Sequence, residues 1–250
     1  MIREKRIWYF QFVVIGFVML FTTNCRKDDH NNPGNPTNGK TTAVFNTALE
    51  YGTLTDQDGN TYKTITIGTQ TWMAENLRTS KYRNGEAIPL VKDSIAWGNL
   101  QTGAYCNPQN TDTLDVLATY GRFYNWYAVS DSRNLAPAGW HVATESDLTI
   151  LTDYLGGPAV AGGKLKEAGS THWSLSIAAT NETGFTALGA GYRHPNGYYY
   201  SPFGYYGMWW SATEVDANEA REWSLYYNGG DIRIVNNLKV FGMSVRCVKD

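Results

Sequence analysis

Three cysteines in 250 residues, and no run of basic residues longer than Arg26-Lys27, set the first limits on this chain. A nucleic-acid partner is not expected, because that affinity comes largely from a basic face and here Lys and Arg are scattered. The formal charge is −2, and setting aside residues 1–24, with three cations and one anion, takes it to −4. Coiled-coil heptads and repeats of solenoid period are absent, which argues against a rod or a repeat array. No GxSxG, Walker loop or GxGxxG occurs, and the histidines lack HExxH spacing, so the common hydrolase, nucleotide and zinc-protease signatures are missing. A hydrophobic content of 42% at this length allows one sizeable core, and a single domain is the expectation.

Long hydrophobic runs are lacking too. The best, Ile7 to Phe21, is interrupted by Gln11 and Gly16 and is too short to cross a bilayer comfortably. Behind the basic start of Arg3, Lys5 and Arg6 it reads as a secretory signal over residues 1–24. The run ends FTTNC, and Cys25 followed by Arg26, Lys27, Asp28 and Asp29 resembles a bacterial lipoprotein signal in which this cysteine is lipidated. The RKDD string resembles the export signal to the outer face of the outer membrane, while Asn24 departs from the small residue usual before the cysteine. A membrane is therefore an expected partner, reached through a multiple-acyl anchor. Residues 25–43 include HNNPGNPTNGK, which has no apolar periodicity and reads as a flexible tether. The domain is expected over 44–250.

Within it, the turn Asp56-Gln57-Asp58-Gly59-Asn60 leads into an alternating strand from Tyr62 to Ile67. The DxDGN string suggests calcium, but the twelfth position of such a loop is Ile67, so a plain turn is the better reading and no metal is expected. In YGRFYNWYAV, Phe123, Trp126 and Tyr127 fall at helical spacing and predict a helix over 120–129. A second helix follows Thr144, which can cap it, with Glu145 and Asp147 in the first turn, Leu148, Leu151 and Leu155 on one face, and Gly156-Gly157 at the end. Strands are expected at 184–188, 208–212, 222–227, 231–235 and 244–248, two of them joined through Asn228-Gly229-Gly230 in a hairpin. The class is α+β with two helices, mainly antiparallel strands and long loops.

From Gly184 to the end the chain crowds aromatic residues among Gly, Ser and Asn. One half-buried sheet face would not hide them all. Tyr and Trp give large rigid contact area at little rotamer cost, while the small residues let loops adapt, so the composition fits recognition. Tyr192, Tyr198, Tyr199, Tyr200, Tyr205, Tyr206, Trp209, Trp223, Tyr226 and Tyr227 are the candidate ligand-binding residues. Trp209 and Trp210, as strand neighbours, point to opposite faces, one into the core and one toward a ligand. The alternative is an aromatic core with ordinary surface loops.

The succession DQDGNTYKTITIGTQTWMAENL, YGRFYNWYAV, APAGWHVATESDL, GGKLKEAG, GFTALGAGYR, WWSATE and FGMSVRCV resembles the Fibrobacter succinogenes major paralogous domain from about residue 50 to the end. The resemblance implies a C-type-lectin-like fold, distantly similar to formylglycine-generating and sulfatase-modifying proteins, and little about activity. A formylglycine-generating enzyme works through a cysteine pair that binds copper. Here only Cys106 and Cys247 remain after Cys25, and Cys247 lies in the closing SVRC motif. In an exported chain two thiols point to a disulfide, so no cofactor is expected. Some relatives carry a further cysteine where this chain has Ala136, which leaves the pairing open.

His141, beside a helix start, reads as a hydrogen-bonded structural residue. Glu214, Asp216, Glu219 and Glu222 lie near the aromatic stretch, but nothing in the sequence fixes the separations that glycoside hydrolysis needs. The EPN, QPD and WND strings of calcium-dependent sugar-binding lectins are absent; His194-Pro195-Asn196 lacks the carboxylate. The expected function is a surface-displayed, non-catalytic recognition domain for a glycan or protein. Its alternatives are a structural surface protein without a fixed ligand, a target of retroelement diversification between WWSATE and SVRC, and an enzyme of unknown type.

Overall fold

The computed structural model describes residues 34–250. The signal segment, Cys25 and the first part of the expected tether lie outside the described residues. In chain order come β1 (Gly52–Thr55), β2 (Thr61–Ile67), β3 (Gln70–Met73), α1 (Ser94–Gly98), β4 (Tyr105–Cys106), α2 (Leu114–Tyr120), β5 (Phe123–Tyr124), α3 (Trp126–Val129) and β6 (Trp140–Val142). Then follow α4 (Glu145–Tyr154), α5 (Pro158–Leu165), a long coil, and β7 (Tyr206–Glu214), β8 (Glu219–Tyr226), β9 (Arg233–Leu238) and β10 (Cys247–Lys249). The fold is α+β, with antiparallel pairing between the named strands. One sheet runs β1-β2-β3-β10-β6 and another β7-β8-β9. The last strand is thereby inserted among early ones, Val248 standing opposite both Trp72 and His141.

Both faces of β7 are covered. Met208 and Trp210 pack into a cluster with Tyr62, Met73 and Trp126, while Trp209 joins Trp72, Leu148, Leu151 and Trp223 on the other side. Alternation along a strand sends neighbours to opposite faces, and here each face meets a core. Trp209 and Trp223 are fully buried and stack at 4.4 Å. They are core residues, which corrects their assignment to a ligand surface, and Trp210 is buried with them.

Buried backbone carbonyls outside helices and strands need donors from elsewhere, and in this loop-rich domain buried cations supply many of them. Arg246 of the SVRC motif donates to the Thr186 carbonyl (2.9 Å), to the Met73 carbonyl (3.2 Å), to the Phe185 carbonyl and, through Nε, to Asn76 Oδ1 (2.9 Å). Arg193 donates to the carbonyls of Gly197, Val91, Lys92 and Asp93. Lys166 Nζ donates to Ile177, Tyr226 and Gly229 carbonyls at 2.8, 3.1 and 2.6 Å. None of these three has a carboxylate within ion-pair distance among the described residues. Burial lowers the Lys166 ammonium to about 8.

The capped helix after Thr144 forms as α4: Thr144 Oγ1 accepts from Asp147 N and the Asp147 carboxylate accepts from Thr144 N, a reciprocal box. The hairpin through Asn228-Gly229-Gly230 joins β8 to β9 as expected. The described residues hold five α-helices where two were expected, α1, α2 and α3 being short, and two expected elements differ in kind. Residues 120–129 do not form one helix, because Gly121 (φ 74°) ends α2, Phe123 pairs as β5, and Asn125 restarts the chain by capping Ala128 N. Residues 184–188 are not a strand: Thr186 stands at φ 56°, bonded to Asn181, and Arg246 takes the carbonyls of Phe185 and Thr186.

The tether is shorter than its composition suggests. Thr37 is buried, its hydroxyl donating to Asn60 Oδ1 (3.1 Å) and accepting from Arg78 Nε (2.9 Å), and Asn38 bonds to both Gly59 O and Thr61 N. Asn35 likewise donates to the Asp58 carbonyl (3.3 Å), so Asn35, Thr37 and Asn38 together fasten this segment to the 58–61 turn and Arg78. The Asp56 turn is closed the same way, its carboxylate accepting from Asp58 N, Asn60 N, Asn60 Nδ2 and Tyr62 OH.

The expected disulfide is absent. Cys106 and Cys247 are both free and completely buried, Cys106 with Trp97 and Phe123, Cys247 with Met73 and Val245 in another cluster. Burial pushes both thiols above their ordinary range, so they are inert apolar packing groups.

Candidate functional site

Four of the ten predicted aromatic residues, Tyr192, Tyr200, Tyr206 and Tyr226, meet in one row at the edge of the core. Tyr226 packs edge-on against Tyr206 (5.0 Å between centroids), Tyr206 against Tyr192 (6.2 Å), Tyr192 against Phe241 (5.9 Å), Phe241 against His194 (5.2 Å), and His194 against Tyr200 (5.0 Å). The result is a contiguous half-exposed row, with the Arg233 guanidinium 4.3 Å over Tyr226 at one end and Tyr200, 58% exposed, at the other. The β7–β8 register sets one end, since Tyr206 lies opposite Tyr226. The other end is set by pairing of Arg193 with Gly242, which brings His194 to Phe241. Offset and edge-on ring pairs of this kind hold side chains rigid while leaving faces and edges open.

The remaining predicted residues lie elsewhere. Tyr205 and Tyr227 form a separate pair at 5.0 Å. Tyr198 is 61% exposed and stands outside the row. Tyr199 is an anchor, its hydroxyl donating to Asn107 O (2.8 Å) and close to Asn110 Oδ1 (3.0 Å), and burial raises its phenol well above the usual range. Phe241, His194 and Arg233 join the row without a local sequence signal for it. Phe241 sits in a single-aromatic stretch, and only the Arg193–Gly242 pairing reveals its place.

Beside the row opens a cleft of about 550 Å³, lined by residues 98–101, Tyr127 of α3, the β7–β8 turn and Leu238 to Val240. Two contacts make row and cleft neighbours. Val240 lines the cleft next to Phe241, and Gly98 lies so close to Pro195, next to His194, that a Cβ there would sit 2.6 Å from the Pro195 carbonyl. Of the four carboxylates near the aromatic stretch, Asp216 and Glu219 line this cleft. Asp216 Oδ1 accepts from Asn218 N and Glu219 N, which holds its carboxyl below the usual range. Glu214 is bonded to Lys239, and Glu222 is buried, so neither joins Asp216 and Glu219 in lining the cleft.

One further cluster has the order of a catalytic relay. Exposed Thr42 places Oγ1 2.9 Å from His172 Nε2, and His172 Nδ1 lies 2.9 and 2.8 Å from the two oxygens of buried Glu167. An oxyanion would need free amides alongside. The adjacent ones are already bonded, Ala43 N to Thr41 Oγ1 and Val44 N to Glu167, while Thr42 N donates to Thr119 Oγ1. The cluster is a clamp that fastens residues 42–44 to the domain. His141 is likewise structural, 2.8 Å from Asp250 and 3.1 Å from Asp147; burial lowers its pKa, and the two carboxylates outweigh that and raise it. Among the described residues no group of three or more His, Cys, Asp or Glu could hold a metal ion, and no helix is long and apolar enough to cross a membrane.

No curated protein and no solved structure matches the chain. The family model of the Fibrobacter succinogenes major domain matches residues 65–249. That span takes in the β7-β8-β9 sheet, the other sheet from the end of β2 onward, the buried cations Arg193, Arg246 and Lys166, and the whole of the row and cleft. The chain belongs to the Fibrobacter succinogenes major domain family.

Proposed function

We propose that this protein is a surface-displayed lipoprotein whose domain, of C-type-lectin-like arrangement, recognises a glycan or protein without catalysis. The reading rests on one observation: a contiguous aromatic row beside an open cleft, its rings seated at the edge of the core with part of their surface exposed. Large exposed aromatic patches on a soluble domain mark interaction surfaces, and rigid aromatic anchors carry much of the energy where they occur. The catalytic alternative has less behind it, since the relay-like cluster found among the described residues, Thr42, His172 and Glu167, has its neighbouring amides bonded. A combined glycan and protein array probed with the purified protein tests the reading. Binding that Tyr206→Ala or Tyr226→Ala weakens at unchanged melting temperature supports it, and an array without any row-dependent signal contradicts it.

The lipoprotein part has its own test. Multiple acyl chains on Cys25 would hold the protein firmly at the outer membrane. The Cys25→Ser protein is expected to be released or left unprocessed, and intact cells should lose surface labelling. Wild-type fractionation and labelling of that variant would contradict the anchor.

A further inference from the structure

The cleft beside the aromatic row has a chemistry of its own. Asn99, Gln101 and Asn218 present amides to it, Asp216 and Glu219 present carboxylates, and Tyr127 adds a half-exposed ring. Gln101, Asn218 and Glu219 make no side-chain hydrogen bond to protein among the described residues, Asp216 keeps Oδ2 free, and Asn99 uses only its Nδ2, on Ile95 O. The one cation lining the cleft, Lys239, is buried and engaged with Glu214, the Ala217 carbonyl and the Trp126 ring. The cleft therefore offers planar donors and acceptors together, a ring, and an uncompensated negative balance.

We infer that the cleft is the binding subsite for a neutral oligosaccharide, with the aromatic row receiving the continuation of the chain. This rests on the recognition reading above and names its ligand class. Sugar hydroxyls both donate and accept, so they can satisfy amides and carboxylates side by side, and sugar C–H faces suit an exposed tyrosine ring. An anionic sugar would meet Asp216 and Glu219 without a free cation to offset them. A cationic peptide would use the two carboxylates and could meet the amides with its backbone, so trilysine is the competing ligand in the test, while a polyol brings donor and acceptor in every hydroxyl.

The test is calorimetric titration of the full-length protein with neutral trisaccharides (maltotriose, cellotriose, mannotriose and chitotriose), with trigalacturonic acid, and with trilysine. At least one neutral trisaccharide is expected to bind more tightly than either charged probe, and Gln101→Ala/Asn218→Ala should weaken it about tenfold or more without changing the melting temperature. Glu219→Gln should narrow the discrimination against trigalacturonic acid. Equal or tighter binding of trigalacturonic acid or trilysine overturns the inference, as does wild-type affinity in the double variant. If no trisaccharide binds but a protein on the array binds through Tyr206 and Tyr226, the sugar assignment falls and the recognition reading stands. If neither glycan nor protein binds, both fall.

Discussion

Glu222 is completely buried on β8, opposite Trp210 and Val235, with only the Ser224 hydroxyl at 3.4 Å and its Oε2 without any partner. Burial raises its carboxyl from 4.5 to about 8, so it stays protonated at neutral pH in the folded protein. An acid whose folded pKa is raised favours folding only at low pH. Its unfavourable contribution begins above pH 4.5, grows to about pH 8, and reaches on the order of 5 kcal/mol beyond it. Glu222→Gln is expected to match wild type at pH 4 to 5 and to exceed it increasingly toward pH 8 and above, as denaturant titrations across pH would read. A difference independent of pH would contradict this. Arg246 makes the opposite case, since Arg246→Met takes this donor from three carbonyls and leaves Asn76 Oδ1 with Trp209 Nε1 alone. A loss of about 3 kcal/mol or more is expected from chemical denaturation, and a loss under 1 kcal/mol would refute the stapling role. Neither role was legible in the sequence. An arginine in SVRC or a glutamate in a strand carries no mark of burial, because the usual inference from charge is exposure.

Among the elements, those encoded by local chemistry were the legible ones. Thr144, Asp147 and the leucines that follow specify α4 within one turn of chain, and the Asn-Gly-Gly turn specifies a hairpin in the same local way. Thr144→Ala should cost about 1 kcal/mol of stability through loss of the box, and no change in melting would show that the cap is idle. The misread elements have long-range causes. Trp126 N bonds to Lys239 O, and the carbonyls of Phe185 and Thr186 go to Arg246, so the conformation of each is chosen by residues distant in sequence. Likewise Asn35, Thr37, Asn38 and Thr42 look solvated by composition, yet they bond to the 56–61 turn, to Arg78, Thr119 and His172. A polar segment with polar protein partners cannot be told from a tether by counting residues.

Taken whole, the molecule divides its labour between a scaffold and a surface. The family motifs GYR, SVRC and KLKEAG contribute buried cations that tie coil to coil, while the rings from Tyr226 to Tyr200 lie outside those ties. The two domain cysteines belong to the scaffold as packed thiols, so thiol labelling of the unfolded, unreduced mature protein is expected to find both Cys106 and Cys247 reactive; labelling of neither would restore the disulfide. About half of the tyrosines singled out by sequence lie in the row, since composition reports how many aromatics a segment holds but not which of them share a surface. The division itself is tested most directly by measuring melting temperature and ligand affinity on the same set of variants. Trp209→Ala and Trp223→Ala, from the stacked buried pair, should lower stability by about 3 to 5 kcal/mol. Tyr206→Ala and Tyr226→Ala should change melting little, yet at least one should weaken binding of a ligand found on the array by about 2 kcal/mol or more. If the tyrosine variants melt as low as the tryptophan variants, or bind as wild type does, the row is not a recognition surface.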